Sequence, residues 1–196
     1  VISHDDSDHT GGAAAVLLAV PVNLVSTSVT PGKFAPHIVS RCEAGERWEW
    51  DGVNFEMLHP SASSYATQDL KNNDRSCVLR IVSRFGRILV TGDIEKYSEA
   101  ELLHQRADLA AEAIVVPHHG SGTSSTVAFI GQVSPSLAIF AVGYQNRFGH
   151  PKHEVLERYR QAFESAGMRD LALVSPLDAM IMAASLLTDD STPATW

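Results

Sequence analysis

Four apolar segments of this chain each run into a short cluster of residues that carry proton or metal chemistry. The clusters begin at His4, Asp93, His118 and Asn146, and each follows a run typical of a buried β-strand. Polar side chains beyond the ends of several strands can meet in one pocket at the edge of a sheet. The sequence therefore predicts a layered fold that brings the four clusters to one shared site.

The order of the elements indicates the class of fold. A chain of 196 residues, 44% of them apolar, can bury one core. Strand-like runs dominate the first half, and Asp51-Gly52 is a hairpin signal between two of them. Later strands alternate with helical runs, the clearest of which covers 153–167. This pattern predicts one α+β or α/β domain over 1–196 with mixed sheets, ending in a frayed tail at 187–196.

The charge of the chain limits its partners. A net charge of −8 excludes a broad basic surface of the kind that holds nucleic acid through its phosphates. A nucleic-acid substrate would need bound metal or a local basic strip. Candidates for the strip are Arg75, Arg80, Arg84 and Arg87, and ordinary solvated arginines are the alternative.

No apolar run approaches the roughly 20 residues that span a bilayer. The chain starts at Val1 and carries no targeting signal, so it is interpreted as a soluble fragment of a longer protein. The two cysteines, Cys42 and Cys77, lie in unrelated contexts without CxxC spacing. This pattern indicates neither a disulfide scaffold nor a thiolate zinc site, and we expect two buried or half-buried thiols.

The first cluster places His4, Asp6, Asp8 and His9 within six residues, after a short strand and before a helix. Alternate side chains of an extended segment point the same way, so His4 and Asp6 can converge on one ion. Asp8 and His9, where the chain turns into the helix, can face a second ion. Imidazole and carboxylate groups at this density suit a divalent transition metal, or a pair of manganese or magnesium ions. The alternative is a helix capped by Asp8 between ordinary surface histidines.

Two further clusters offer ligands from later strands. Asp93 ends an apolar strand, where its carboxylate can bridge two metals or instead cap the following helix. The adjacent His118 and His119 follow another strand and offer a further ligand. Gly120 after them would let substrate approach, and the hydroxyl of Ser121 would contact a phosphate or oxyanion.

The last cluster contains Asn146, Arg147 and His150, again just beyond an apolar strand. We predict that Asn146 and Arg147 bind substrate, together with Gly120. The alternative is a plain turn before a helix that begins at Pro151.

The four polar clusters together resemble those of a known protein family. The runs HDDSDHTGG, LVTGD, VPHHGSGTSS and VGYQNRFGHP, in that order, are similar to the metallo-β-lactamase-like C-terminal domain of the ComEC/Rec2 DNA internalization competence proteins. The resemblance covers roughly residues 1–160. It implies an αββα sandwich with a dinuclear metal site at one edge and hydrolytic chemistry. It also implies a parent protein with a membrane channel for single-stranded DNA, in which this domain is the nuclease for the strand that is not taken up.

The resemblance assigns roles residue by residue. It gives His4 and Asp6 to the first metal site, Asp8 and His9 to the second, Asp93 to the bridge, and His118 or His119 to the late histidine. The sequence departs from the superfamily pattern in two places. Asp6 stands where a histidine is usual, and only Asn72, Asn73 and Asp74 lie where a second histidine is expected. Both departures replace nitrogen ligands of the first metal site with oxygen ligands. We therefore expect two divalent ions, Mn²⁺ before Mg²⁺ or Zn²⁺. The strands that normally precede the first cluster, at His4 to His9, are expected to be missing, which would leave the sandwich incomplete.

The predicted function is metal-dependent hydrolysis of DNA phosphodiesters during transformation, without a nucleotide cofactor. Asp8 would orient or deprotonate the attacking water, and His150, with Arg147 or Ser121, would contact the phosphate or protonate the leaving oxygen. The expected partners are DNA, single-stranded or duplex, and the channel part of the parent chain, a bacterial inner-membrane protein with this domain on its periplasmic face. The alternatives are a hydrolase of a small ester or phosphodiester, and a degenerate module that regulates its parent without catalysis.

Overall fold

The computed structural model describes residues 1–143 and 146–167, so the tail predicted at 187–196 lies outside the described residues. The helices are α1 (Ser7–Thr10), α2 (Ala13–Ala19), α3 (Ala62–Ala66), α4 (Lys96–His104), α5 (Val127–Val133) and α6 (His153–Ser165). The strands are β1 (Val25–Thr27), β2 (Val39–Arg41), β3 (Arg47–Trp50), β4 (Val53–His59), β5 (Val78–Val82), β6 (Arg87–Val90), β7 (Ala113–Val115) and β8 (Leu137–Ile139). Short 3₁₀ turns lie at Pro31–Phe34, Asn73–Arg75 and Pro117–Gly120.

Six strands form one mixed sheet in the order β3-β4-β5-β6-β7-β8. The pairs from β3 to β6 are antiparallel, and β6, β7 and β8 pair in parallel. The predicted hairpin joins β3 to β4, and both of its turn residues, Asp51 and Gly52, have the positive φ that a tight hairpin requires. Parallel pairing brings the carboxyl ends of β6, β7 and β8 to one edge, where the later polar clusters begin.

A second, smaller sheet contains β1 and β2, which pair in parallel. Ile2 adds an isolated bridge to Thr27, so the strand predicted before the first cluster is a single bridged residue in this structure. Val25, Val29 and Phe34 form a small apolar cluster under this sheet. This layer fixes the start of the chain, and with it the first cluster, beside the main sheet.

The main core lies between the six-stranded sheet and helices α4, α5 and α6. α6 contributes Val155, Tyr159 and Phe163, which recur every four residues along one helical face, as the sequence predicts. Each such side chain stabilises the fold by about 1.5 to 3 kcal/mol when fully buried. The strand ends that carry the polar clusters therefore project from a rigid base. Among the described residues, no helix has both the length and the hydropathy that crossing a bilayer requires.

Cys42 and Cys77 form a disulfide, so the prediction of two free thiols is wrong. The bond joins the residue after β2 to the residue before β5, with the two Cα atoms 6.0 Å apart. The sequence spacing did not reveal this pairing because it depends on which strands the fold brings together. The cysteines are 35 positions apart, and closing a loop of that size stabilises the folded state by about 3 to 4 kcal/mol.

Candidate metal centre

Asp93 lies at the centre of the site because three chain segments close around the end of β6. Gly92 has a positive φ, and a Cβ there would lie 2.9 Å from the Cβ atoms of both Ser3 and Ser76. Glycine is required at this close approach. The Asp93 amide donates to Ser76 Oγ at 3.1 Å, and the Asp93 side chain is only 5% exposed. These contacts fix the position of the carboxylate.

The Asp93 carboxylate faces four histidine rings. Its Oδ1 lies 3.1 Å from Nε2 of His9, and its Oδ2 lies 3.6 Å from Nε2 of His119. Nε2 of His118 and of His4 lie 3.8 and 3.9 Å from the same Oδ2. The first three predicted clusters thus meet at one carboxylate.

One set of residues, here called the four-ligand group, consists of Asp8, His9, Asp93 and His119. One ligand atom from each lies within 4.8 Å of those of the other three. His119 Nδ1 donates to the carbonyl of Ala141 at 2.7 Å, which leaves Nε2 to face the group. The structure thereby places His119, rather than its neighbour His118, among these converging atoms.

His118 and His119 diverge because both have left-handed backbones, with φ of 50° and 54°. This conformation is uncommon outside glycine, and it occurs preferentially at functional sites. Nδ1 of His118 lies 3.6 Å from Glu95 Oε1 and 3.3 Å from Thr123 Oγ1. Lys71 in turn pairs with Glu95 at 2.6 Å. Glu95 and Thr123, which the sequence analysis missed, thus orient His118 at the edge of the site.

A second set, here called the His4–Asp6 half-site, shares Asp93 with the four-ligand group. Nε2 of the fully buried His4 lies 3.4 Å from Asp6 Oδ2. Asn72 Nδ2 donates to Asp6 Oδ1 at 2.7 Å. Asn72 and Asp6 are the two departures from the superfamily pattern described above. The Asn72 amide therefore fixes the Asp6 carboxylate, so the two departures act together.

The two residues after Asn72 have other roles. The Asn73 amide lies 3.4 Å from Nε2 of His118. Asp74 is buried and accepts hydrogen bonds from the Glu95 amide and the Ser98 hydroxyl. Asp74 therefore supports the start of α4 instead of facing the half-site.

Ser3 links the two sets of ligands, and the sequence analysis missed it. Its Oγ lies 3.1 Å from Nδ1 of His4 and 3.0 Å from Nδ1 of His9. A histidine that binds a metal through Nε2 carries its proton on Nδ1, so both rings can donate to this one hydroxyl oxygen. No motif in the sequence marks a serine for this role, because the contact appears only when the turn is folded.

The donor set fits a divalent metal ion. Nε2 of His4 is buried without a hydrogen-bond partner and is directed towards Asp6 and Asp93. Nε2 of His9 and of His119 lie 3.4 Å apart. When a metal displaces the proton that His9 Nε2 donates to Asp93, both nitrogen atoms can present lone pairs to the ion. Lone pairs and carboxylates that converge in this way are stabilised by a cation. Mixed nitrogen and oxygen donors suit manganese and zinc.

The charges around Asp93 set the protonation of the site. Burial by itself raises the pKa of Asp93, but the hydrogen bond from His9 and the charges of His119 and His118 outweigh it, so the pKa is lowered. Burial lowers the pKa of His9, yet its bond to Asp93 raises that pKa overall. At His4, burial and the charge of His9 lower the pKa. A neutral His4 beside an ionised Asp93 is the state that binds a metal.

An open pocket of about 430 Å³ lies against these ligands. Its lining brings Arg147 and His150 to the same place as Asp8, Asp93 and His119. It also includes Phe148, which the sequence analysis missed. The pKa of His150 is lowered by burial and by the charges of His118 and Lys152.

The Asn146 side chain bonds to the backbone of its own turn, and its predicted role in binding substrate stays a prediction. Its Nδ2 donates to the carbonyl of His150 at 2.7 Å, and its Oδ1 accepts from the His150 amide at 2.9 Å. The side chain thus closes the turn that carries Arg147 and His150. It does not line the pocket described above.

Gly120 and Ser121 also lie outside that pocket lining. Gly120 is buried with a φ of 80°, and a Cβ there would lie 2.7 Å from Cβ of Pro151. Close packing against Pro151 therefore requires a glycine here. Ser121 is buried as well, and its Oγ lies 3.1 Å from Thr123 Oγ1. The predicted contacts of Gly120 and Ser121 with substrate stay predictions.

The candidate basic strip is neutralised in part by neighbouring carboxylates. Arg80 pairs with Asp108 at 2.6 Å, and Arg87 pairs with Glu112 at 2.6 Å. The Arg75 guanidinium donates to the carbonyl of Thr67. These arginines stabilise the sheet and its loops rather than form an open basic surface.

Comparison with known proteins identifies relatives that align with most of this chain. It is 38% identical over 161 residues to Competence protein ComA of Neisseria gonorrhoeae, an alignment that covers 82% of this chain and 22% of that protein. It is 33% identical over 172 residues to Recombination protein 2 of Haemophilus influenzae, with 86% and 21% covered. ComE operon protein 3 of Bacillus subtilis is 28% identical over 169 residues, with 80% and 21% covered. No protein-family model matches.

The predicted α+β class is confirmed by the mixed six-stranded sheet that packs against α4, α5 and α6. Solved structures similar to this chain include the metallo-β-lactamase fold protein YhfI of Bacillus subtilis, with 11% identity, a TM-score of 0.47, and 87% of this chain and 72% of that chain covered. The resemblance that the sequence motifs indicate is confirmed as well. The chain therefore belongs to the ComEC/Rec2 family of competence proteins, and it spans about one fifth of the length of these relatives.

Proposed function

We propose that this domain is the metal-dependent nuclease of a competence DNA-uptake protein, and that it degrades the DNA strand that is not transported. The observation that carries the proposal is the convergence of His4, His9 and His119 on Asp93, beside a pocket that also presents Arg147. A cationic side chain next to a metal centre suits a phosphodiester better than a neutral ester. The names of the relatives, which refer to competence and recombination, agree with a role in DNA handling.

The ligands would be divided between two ions. The four-ligand group would hold one, and His4, Asp6 and Asp93 would hold the other, with Mn²⁺ expected before Mg²⁺ or Zn²⁺. When bound, such ions neutralise charge on phosphoryl oxygens and lower the pKa of a bound water. Lys33 pairs with Asp5, the residue before Asp6. This ion pair helps to hold the backbone of the segment that carries His4 and Asp6.

The side chains that line the pocket would bind and orient the substrate. Asp8, whose side chain is well exposed, would accept a hydrogen bond from the attacking water and so direct it towards phosphorus. Arg147 would bind a non-bridging phosphate oxygen. Of the two roles predicted for His150, its lowered pKa favours a neutral ring that donates a hydrogen bond to the phosphate, rather than a charged acid.

The disulfide supports a place on the periplasmic face of the inner membrane. Disulfides persist in oxidising compartments such as the periplasm and are rare in the bacterial cytosol. The Cys42–Cys77 bond is buried and lies directly under the metal turn, since the Cys77 amide donates to the carbonyl of Ser3 at 3.0 Å. In that location the domain would meet incoming DNA beside the channel part of its parent protein.

The test is cleavage by EDTA-stripped protein reloaded with Mn²⁺, Mg²⁺ or Zn²⁺, using end-labelled single-stranded and duplex DNA. Asp93→Asn should abolish cleavage. Asp51→Asn in the distant hairpin is a matched control that should keep it, because asparagine suits that turn equally well. Hydrolysis of small esters without DNA cleavage would favour a small-substrate hydrolase. Protein that binds no metal and hydrolyses nothing would favour a regulatory module.

A further inference from the structure

Phe148 lines the metal pocket, yet the residue is 60% exposed. Single exposed apolar side chains are common on protein surfaces. This one differs because it lies in the pocket that presents the Asp93 carboxylate, where the remaining lining is mostly charged or polar. A large flat apolar surface next to a metal centre suits a ligand that has both an anionic and an aromatic part.

The turn that carries Phe148 is held in place from three sides. The Asn146 side chain makes two hydrogen bonds to the His150 backbone. Lys152 Nζ donates to the Phe148 carbonyl at 2.7 Å, and Gly149 supplies the positive φ that closes the turn. The exposed ring is therefore presented by a fixed backbone, so ordering it on binding carries a small entropic penalty.

The neighbours of the ring leave room for a ligand. The His150 ring lies nearly parallel to it, at 16°, but the centroids are 5.9 Å apart, which is an offset contact that covers only part of one face. The Arg147 guanidinium lies 4.9 Å from the ring centroid. Arg147 is itself exposed, and a cation–π contact at an exposed site is weak, so the guanidinium can leave the ring for a phosphate.

We infer that Phe148 is a base-stacking residue: its ring takes the nucleobase next to the phosphate in the metal pocket, while Arg147 takes the phosphate. The inference rests on the proposed function and adds a substrate class to it. A base can stack on an external ring only when it has left its own helix, so the pocket would select single-stranded DNA or a frayed end over intact duplex. It would show little sequence preference, because every base has a π-face.

The test compares two oligonucleotides that differ at one base. One is intact, and the other carries an abasic residue next to the scissile link. Wild-type protein should bind and cut the intact strand about tenfold better, within a range of about 5- to 150-fold for one stacked base. Phe148→Leu, which keeps apolar volume but lacks a π-face, should lose this difference, and Phe148→Trp should retain it. Phe85→Leu is the matched control, because Phe85 is also exposed beside an arginine, Arg84, but lies outside the pocket lining.

Binding is measured separately from cleavage, by fluorescence anisotropy with phosphorothioate strands that resist hydrolysis. Cleavage that depends on metal but not on the neighbouring base, in both wild type and Phe148→Leu, overturns the stacking role and leaves the proposed nuclease function standing. Base-dependent binding that Phe148→Leu removes, without any cleavage, supports stacking and overturns the nuclease function. Protein that neither binds nor cuts either strand overturns both.

Discussion

The four-ligand group and the His4–Asp6 half-site share Asp93 but differ in how their other ligands are held. The four-ligand group draws on three separate chain segments, and its ligand atoms lie within 4.8 Å of one another. The half-site has one fully buried imidazole, and an Asp6 side chain that is 46% exposed and held by an amide. The first arrangement can hold an ion with protein atoms alone. The second is more open, so its ion would bind more weakly and depend more on added water or substrate oxygens.

The shared ligand gives the largest expected effect. Asp93→Asn removes charge from both sets at once, so metal content should fall at both and hydrolysis should drop by at least about 100-fold. Metal analysis of desalted protein, alongside the cleavage assay, measures this. A variant that keeps two bound ions would show that Asp93 does not join the two sets.

Single histidine changes should separate the two sets. His9→Ala should weaken the tighter ion by about 100-fold, whereas His4→Ala should leave that ion bound and remove only the weaker one. Titration calorimetry of the stripped protein with Mn²⁺ resolves the two events. His104→Ala, on the exposed surface of α4, is the matched control. If His4→Ala and His9→Ala lowered the affinity for both ions equally, the four-ligand group and the His4–Asp6 half-site would not be separate metal sites.

Ser3 provides a change that should affect both sets together. Ser3→Ala removes the hydroxyl that contacts Nδ1 of His4 and His9, so affinity should fall by about 10-fold for each ion. Ser28→Ala is the control, because its hydroxyl donates to the Ser3 carbonyl and does not contact either ring. If Ser3→Ala weakened only one ion in the same calorimetric titration, the shared support would be refuted.

The smallest expected effect concerns metal preference. Asn72→His would add an imidazole next to Asp6 and should shift the half-site from Mn²⁺ towards Zn²⁺ by about 10-fold or less. Competition between the two metals, followed by metal analysis, measures the shift. Asn73→His is the control, because the Asn73 amide faces His118 instead of Asp6. An equal shift in both variants would mean that the amide of Asn72 does not tune the half-site.

Local patterns predicted the parts of this molecule that depend on neighbours in sequence. The Asp51-Gly52 hairpin, the apolar face of α6 and the placement of polar clusters after β6 and β7 all follow from short-range periodicity and turn chemistry. The histidines and aspartates that converge on Asp93 were also predicted, because their residue types are distinctive.

The parts that sequence reasoning missed depend on contacts between distant segments. Ser3 and the Cys42–Cys77 bond act across strands that meet only in the fold. The prediction that Asn146 and Gly120 bind substrate rests on their place beside reactive residues in the sequence, and it stays a prediction. The structure uses the first to close a turn and the second to allow close packing.

The Cys42–Cys77 bond lies beneath the segment from Ser3 to His9 that carries metal ligands, so the support of that segment depends on whether the bond has formed. Cys77 lies next to Ser76, which holds Asp93, and its amide holds the backbone of Ser3. While the thiols are reduced, as in the cytosol where the chain is made, the two residues that position the ligands lose the covalent tie that anchors them. Under the proposed nuclease function and periplasmic location, the domain would gain its full activity only after export and oxidation. The cell's own chromosome would then never share a compartment with the finished enzyme.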